Sequence, residues 1–567
     1  MNNLCGHWTS ALRKNSLPLV LSALLPTFGS GNSAFAAERI HASYSAFERS
    51  ISIPALENYA KTGAIDNDLD AYKQYLKKGQ LQQLRRALLT PIKVSHVAIS
   101  QFLYTSQGEF LLNRLGEVIK TESRQPKAGL HALRSALILA AAEPNGLTLL
   151  NILRKYPSRS MHIDLARTMS MASELEKLVN QTKRAVAAVE EKSSLEAASS
   201  KLPFHISLRQ DLRRRGQYRG QKQTLKFFDA TRNRFLLTDI YLPNAQSRVP
   251  VIVVSHGLGS DSSNFAYVAT HLASHGFAVI VPNHPGSDTK QLRLLLNGKT
   301  NEVAPPNEFQ NRPLDIKYIL DQLEERNKFD SRYRGRLNLQ QVGVFGHSFG
   351  GYTALALAGA KINFEQLAKD CRENAIKDTW NLSLLLQCNA LELRESDAAK
   401  QPLRERKIYN FRDKRVKAVV AVNPITSSIF GETGLSQIQT PVLIAASSDD
   451  TIAPALYEQI LPFSWINNSQ KYLAVISKTS HFSAIGEGKG SANQFALPSE
   501  LVGEDPSLAR RYLNVLSLPF FATYVAEMPK YNTFLNAAYV KAISRQSVSL
   551  SFVQSLTTNE LARGFKK

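Results

Sequence analysis

The chain has 567 residues, with 69 Lys+Arg against 47 Asp+Glu and a formal charge of +22. At 43% hydrophobic and 20% charged residues it is globular, which excludes a mainly disordered, collagen-like or coiled-coil protein. Three cysteines are too few for a disulfide scaffold or a multi-cysteine metal cage, and no apolar run after the first 40 residues approaches the roughly 20 needed to span a bilayer.

Residues 1–36 contain no acid and two bases, Arg13 and Lys14. An apolar run, Leu17–Leu25, follows, and a small-residue stretch ends in Ala34-Phe35-Ala36. That order predicts a secretory signal peptide cut after Ala36, hence export to the periplasm, cell envelope or exterior. Cys5 precedes the apolar run and is out of place for lipid attachment. Cleavage removes two bases, leaving +20, and leaves only Cys371 and Cys388, seventeen positions apart. In an oxidising compartment these are expected to be bonded, stabilising the chain by roughly 3 kcal/mol.

Residues 37–175 read as a mainly helical domain. The alternation Ile40, Ala42, Tyr44 and Phe47, Ile51, Ile53 predicts a short hairpin. Leu81, Leu84, Leu88 and Leu89, then Leu111, Leu112, Leu115 and Val118, follow helical spacing, and 132–142 is apolar nearly all round. His96, His131 and His162 are isolated, without the spacing of a metal site. Residues 176–222 read as a helical linker running into a basic stretch: Arg209, Arg213, Arg214, Arg215, Arg219, Lys222 and Lys226 stand against Asp211 alone. From 223 to 530 strands alternate with helices: 224–228, 235–242, 249–255, 277–281, 342–345, 416–422, 442–446 and 472–476. The later runs are continuously apolar, as in strands buried on both faces of a parallel sheet. Residues 531–567 read as a helical C-terminal extension.

Within that region Gly346-His347-Ser348-Phe349-Gly350 fits G-x-S-x-G. A strand leads into it and a helix-forming run, Tyr352–Ala358, leaves it, as a nucleophile elbow requires; the turn is crowded, so small residues flank the serine at two positions either side. A serine needs a base to take its proton. Of twelve histidines only His481 follows Ser348 beyond its neighbour His347, so the chain order Ser…acid…His leaves His481 as base. Asp449 and Asp450 follow the strand at 442–446; Asp450 is the expected acid and Asp449 the alternative. The oxyanion hole needs two backbone N–H groups, expected from Phe349 and from Leu258 in His256-Gly-Leu-Gly259. His256 and His284 are expected to border the pocket, with a loop-stabilising role as the alternative.

Four motifs in order, HGLG, GHSFGG, DTIAP and SHF, resemble the α/β-hydrolases grouped with platelet-activating-factor acetylhydrolases, predicted dienelactone hydrolases and bacterial polyester-degrading cutinases, over about residues 222–525. The resemblance implies an α/β-hydrolase fold with a mostly parallel eight-stranded sheet, Asp450 as triad acid and His481 as base. Residues 37–175 also resemble a helical domain of unknown function found ahead of exported bacterial hydrolases. Unlike the polyester-degrading members, the chain lacks an aromatic residue at Leu258 and a tryptophan near Asn423-Pro424. It also carries an insertion at about 361–415, holding both cysteines, Trp380 and Leu382–Leu386, which is expected to be a lid.

These features predict a serine hydrolase of small or lipid-like carboxylic esters, the polyester-like substrate of the resemblance being disfavoured by the covered site. An acyltransferase using the same acyl-enzyme, and a non-catalytic envelope interaction protein, are the alternatives. No metal or organic cofactor is implied. Nucleic acid is disfavoured, and the 209–226 cluster is expected to meet either an anionic membrane or only solvent.

Overall fold

The computed structural model describes residues 36–73, 79–92, 94–200, 211–372, 375–376, 379–398, 409–488, 502–557 and 559–561. The expected signal peptide, up to residue 35, and Arg209 lie outside the described residues. The chain forms two compact units, the first from residues up to Lys93 plus Gly116–Leu165, the second from Val94–Leu115 plus Ala166 onward.

In the first unit, the strands β1 (Arg39–Tyr44), β2 (Phe47–Ser52), β3 (Ile119–Thr121) and β4 (Ser160–Asp164) form one sheet in the order β2-β1-β4-β3. The expected hairpin is β1–β2, and β4 joins β1 in parallel. Helix Ile53–Thr62 starts on a Ser52 cap and stops at Gly63, whose φ of 81° is the left-handed geometry of a helix end. Helix Pro126–Ala141 is the apolar run expected at 132–142 and buries Leu130, Leu133 and Ala136.

The second unit is built on nine strands: β5 (Gly220–Asp229), β6 (Arg234–Pro243), β7 (Val249–Ser255), β8 (Ala278–Pro282), β9 (Leu337–His347), β10 (Val416–Val422), β11 (Val442–Ser447), β12 (Lys471–Ile476) and β13 (Leu550–Val553). Their order is β13-β12-β11-β10-β9-β7-β8-β6-β5. The six from β12 to β8 are parallel; β6, β5 and β13 are antiparallel. Val251, Val344, Val419 and Ile444 face one apolar layer, and Ile252, Phe345, Val420 and Leu443 the other. Helices cover both layers, as the continuous apolar runs require.

Three expectations change. The ninth strand, β13, comes from the segment read as a helical extension: Leu550, Phe552 and Val553 are buried against β12, and so short an apolar run does not declare its partner in sequence. Residues 176–199 are helical, as expected, but as part of one longer helix, Leu165–Ser199, with a face buried in the second unit's core rather than a free connection. Its buried stripe of Thr182, Ala185, Val186, Val189 and Ser193 is narrow and made of small residues, which hid it among charges. Ser193 Oγ accepts from Phe552 N at 2.9 Å, joining this helix to β13. Finally, residues 94–115 belong to the second unit, where Arg114 pairs with Glu174 at 2.9 Å and lies 4.4 Å from the centre of the Trp380 ring.

The described part of the 361–415 insertion is fixed rather than free. Cys371 and Cys388 are disulfide-bonded, linking helices Phe364–Asp370 and Leu382–Cys388. Buried Glu458 accepts from Asn381 Nδ2, Gln387 Nε2 and Ser427 Oγ on one oxygen and from Thr426 N and Ser427 N on the other. Ser383 N donates to Ile452 O at 2.8 Å. The insertion is thereby fastened to the loops after β10 and β11. Glu458→Ala would leave five donors unmet in a dry site, so a loss of about 3–5 kcal/mol is expected in urea denaturation. An unchanged midpoint would show that the insertion is held by other means.

Candidate active site

Ser348 stands between β9 and helix Phe349–Ala358 with φ 55° and ψ −116°, a conformation an L-residue adopts only where its surroundings impose it. Its N–H donates to Val422 O at 2.9 Å. A Cβ on Gly346 would lie 1.9 Å from Gly350 O, and one on Gly350 would lie 2.0 Å from Ser255 O. Both positions therefore require glycine, and the serine is raised above the end of the sheet.

His481 opens the short helix His481–Ala484 after β12, capped by Ser480. Its Nε2 is 2.9 Å from Ser348 Oγ and its Nδ1 is 2.6 Å from Asp450 Oδ2. Asp450 Oδ1 accepts from Ile452 N at 2.9 Å and Ala453 N at 2.7 Å, so the other oxygen is aimed at the imidazole. A carboxylate only accepts, so Nδ1 carries the proton and Nε2 is left to accept from the serine hydroxyl. The structure thus brings Ser348, His481 and Asp450 into one line, all largely buried, while Asp449 next door is exposed.

Two backbone elements border the serine. Phe349 begins the helix, so its N–H has no partner within it. On the other side runs the 256–259 loop: a Cβ on Gly257 would lie 3.4 Å from Ser348 Cβ and 2.8 Å from His347 Nδ1. Leu258 follows, half-buried against the core.

His256 and His284 do not border the pocket. Both are completely buried behind this loop with both ring nitrogens engaged. His256 Nδ1 donates to Gly257 O at 2.7 Å, while its Nε2 accepts from His284 N at 3.0 Å. His284 Nδ1 donates to Asp315 Oδ2, and its Nε2 accepts from Ser255 Oγ, each at 3.0 Å. They hold the loop, the alternative role.

Sequence reading missed the ionic cluster behind them. Arg312, fully buried, donates from Nη1 to His256 O at 2.7 Å and from Nε to Ser287 Oγ at 2.9 Å, with its guanidinium 4.4 Å from the Phe349 ring centre. Burial pulls its pKa down to about 10, opposed by Glu308 and Asp315, so it stays charged at neutral pH. Asp315 accepts from Arg232 Nη1 at 2.7 Å and from Arg234 Nη2 at 2.8 Å. His347 was also passed over; its Nε2 donates to His481 O at 3.0 Å, fixing the backbone of the base.

Burial keeps four histidines neutral. Desolvation, with Arg312 adding to it, sets His256 and His284 well below the ordinary imidazole value, and desolvation takes His271 and His347 down to about 3. In the unfolded chain each protonates near pH 6.5. Their folded pKa values are depressed, so the unfolded state binds more protons below pH ~6.5 and stability falls as pH drops. Urea titrations between pH 6 and 4.5 are expected to show uptake of about three to four protons on unfolding, each costing up to about 1.4 kcal/mol per pH unit. A flat profile there would show that these sites open to solvent.

Against known families, residues 36–164 match a model described as an alpha/beta hydrolase of unknown function (DUF1400), and residues 250–366 match one described as the alpha/beta hydrolase fold (Abhydrolase_1). No curated protein matches the chain. The first match falls on a region without the serine; the second runs from β7 through Leu258 and Ser348 into the insertion. With the sheet order above, this gives the second unit the α/β-hydrolase fold. Among the described residues no group of three or more His, Cys, Asp and Glu side chains is placed to hold a metal ion, and no helix is long and apolar enough to cross a membrane.

Proposed function

We propose that this protein is an exported serine esterase acting on small or lipid-like carboxylic esters, within the group of platelet-activating-factor acetylhydrolases, predicted dienelactone hydrolases and cutinase-like enzymes. The observation that carries the reading is the continuous hydrogen-bonded line from Ser348 Oγ through His481 to Asp450. In this reading His481 Nε2 takes the Ser348 proton as Oγ attacks the ester carbonyl. Asp450 holds the tautomer and stabilises the imidazolium, and the Phe349 and Leu258 N–H groups receive the oxyanion. His481 then gives its proton to the departing alcohol, leaving an acyl-serine. Water, deprotonated by the same histidine, releases the acid. The disulfide, an unusual feature in a reducing cytosol, supports export.

In this reading the insertion, fastened to the loops after β10 and β11, covers the acyl pocket, and a covered pocket favours a compact acyl group over a polymer chain. The test is a fluorophosphonate probe and a panel of p-nitrophenyl esters of graded chain length. Labelling at Ser348 with turnover of short esters is expected; no labelling of folded protein would overturn the assignment.

A further inference from the structure

The basic segment does not serve the catalytic end. Ser348, Asp450 and His481 follow the C-terminal ends of β9, β11 and β12, whereas residues 211–219, 248, 328–336 and 412–417 stand at the other end, where β5, β7, β9 and β10 begin. At about 3.3 Å per residue along the roughly seven-residue central strands, the two ends are roughly 20–25 Å apart. These segments are stitched into one surface. Tyr218 N donates to Ser274 O, Asn244 N to Arg219 O, and Arg336 Nη2 to Pro243 O, all at 3.0 Å, while Arg336 Nη1 reaches Arg332 O at 3.2 Å.

Most acids here are spent on cations: Asp211 takes Arg213 at 2.6 Å and Arg214 at 3.6 Å, Glu325 takes Lys328 at 2.7 Å, Asp330 takes Arg332 at 2.9 Å, and Asp413 takes Arg415 at 2.7 Å, while Glu527 accepts from Gln341 Nε2 at 2.9 Å. Arg215, Arg219, Arg334, Arg336, Lys414 and Lys530 have no carboxylate partner among the described residues. By contrast Lys222 of the expected cluster is bound to Asp239 at 2.8 Å and Lys226 lies 4.2 Å from the Phe235 ring centre, so the cluster's upper part is occupied.

Two features go beyond charge. A depression of about 490 Å³ is lined by Arg214, Arg215, Tyr218, His275, Lys530 and Tyr531, with Asp211 also in its wall, paired with Arg213 and, at 3.6 Å, with Arg214. Its wall is pinned at Gly216, where a Cβ would lie 2.1 Å from Ser274 O. And two large apolar side chains protrude at this end: Phe329, 74% exposed, beside Lys328, which is paired with Glu325 at 2.7 Å, and Met528, 45% exposed, two residues from Lys530. Exposed apolar side chains at the same end of the sheet as the cations without carboxylate partners fit a lipid interface, where the former enter the acyl boundary and the latter meet phosphate. A soluble polyanion would leave Phe329 and Met528 unused.

We propose that this end of the sheet is a docking surface for an anionic phospholipid membrane, with a headgroup phosphate in the depression between Arg215 and Lys530, so that the catalytic end faces away from the bilayer. The placement does not rest on the esterase reading and is tested without any activity assay. The full chain is sedimented with vesicles of 30:70 phosphatidylglycerol and phosphatidylcholine, and with phosphatidylcholine alone. Binding to the anionic vesicles only, weakening from 50 to 200 mM salt, is expected.

Arg215→Gln/Arg334→Gln/Lys530→Gln should weaken it by about 100-fold, at roughly fivefold per cation. The exposed triple Lys290→Gln/Arg293→Gln/Lys299→Gln, on the catalytic side, should change it less than about threefold on the same basis. Phe329→Ser/Met528→Ser should weaken vesicle binding at least tenfold, as the loss of two inserted side chains implies, and leave binding to heparin unchanged. The proposal is overturned if the wild type ignores anionic vesicles, if the two cationic triples weaken binding equally, which would reflect net charge alone, or if the apolar pair is silent, which would point to a soluble polyanion. Because all eight positions are solvent-facing, unchanged thermal midpoints are expected, and a variant that melts early is replaced by its single substitutions.

Discussion

Ser348→Ala is expected to reduce turnover of short p-nitrophenyl esters by about 10⁴-fold or more while leaving the thermal midpoint nearly unchanged. The hydroxyl's hydrogen bond is to His481 Nε2, at 2.9 Å. The strained backbone is held by neighbours, through Ser348 N to Val422 O and the glycines on either side. Removing one oxygen therefore removes the nucleophile and little else. His481→Ala should cost about as much, and the double variant barely more than either single one, because three groups acting in sequence fail as a unit. Asp450→Asn should cost about 10⁴-fold by presenting His481 with the wrong tautomer, whereas Asp449→Asn, exposed and off the line, should stay within about threefold. Full activity in Ser348→Ala would end the esterase reading. Equal losses at Asp449 and Asp450 would return the acid to the choice that adjacency in sequence left open.

The central strands and the serine turn were legible because both are local patterns. Val342–Phe345 and Val442–Ala446 are continuously apolar, and the glycines flanking Ser348 answer a crowding that acts within five residues. His481 was legible by elimination. What could not be read depends on pairing across the fold. Arg232 and Asp315 are 83 positions apart, and nothing in either neighbourhood announces that they meet in a dry interior. His256 and His284 stand in glycine-rich loops that look pocket-like, yet their rings turn inward, that of His256 to Gly257 O and the His284 backbone, that of His284 to Ser255 and Asp315. The burial of helix 165–199, though not its helicity, escaped because alanine, threonine and serine make up much of its buried stripe, and a stripe of small residues carries little hydrophobic contrast. The charge excess was legible as a number but not as a place; only the direction of the strands separates the basic end from the catalytic one.

Arg312 carries the second large expected effect. Its Nη1 holds the carbonyl of His256, the peptide unit that leads into Gly257 and Leu258, and its guanidinium lies against Phe349, so it touches both stretches assigned to the oxyanion hole. It reaches no substrate atom; it is a positioning residue. Donors of that kind act on charge that exists only in the transition state, so misplacing them lowers kcat and spares KM. Arg312→Met is expected to lower kcat for short esters by about 10²-fold with KM within about threefold. It should also cost roughly 3 kcal/mol of stability, because the buried His256 carbonyl and Ser287 Oγ lose their donor and the charge that opposes Glu308 and Asp315 is removed. Arg312→Lys retains the charge but not the planar fork that reaches His256 and Ser287 together, so it should recover much of the stability and little of the rate. Affinity for a phosphonate transition-state analogue should fall with kcat, while affinity for a non-hydrolysable substrate ether should not. If Arg312→Met lowers stability alone and both kinetic constants survive, the loop is set by His256 and His284 without it.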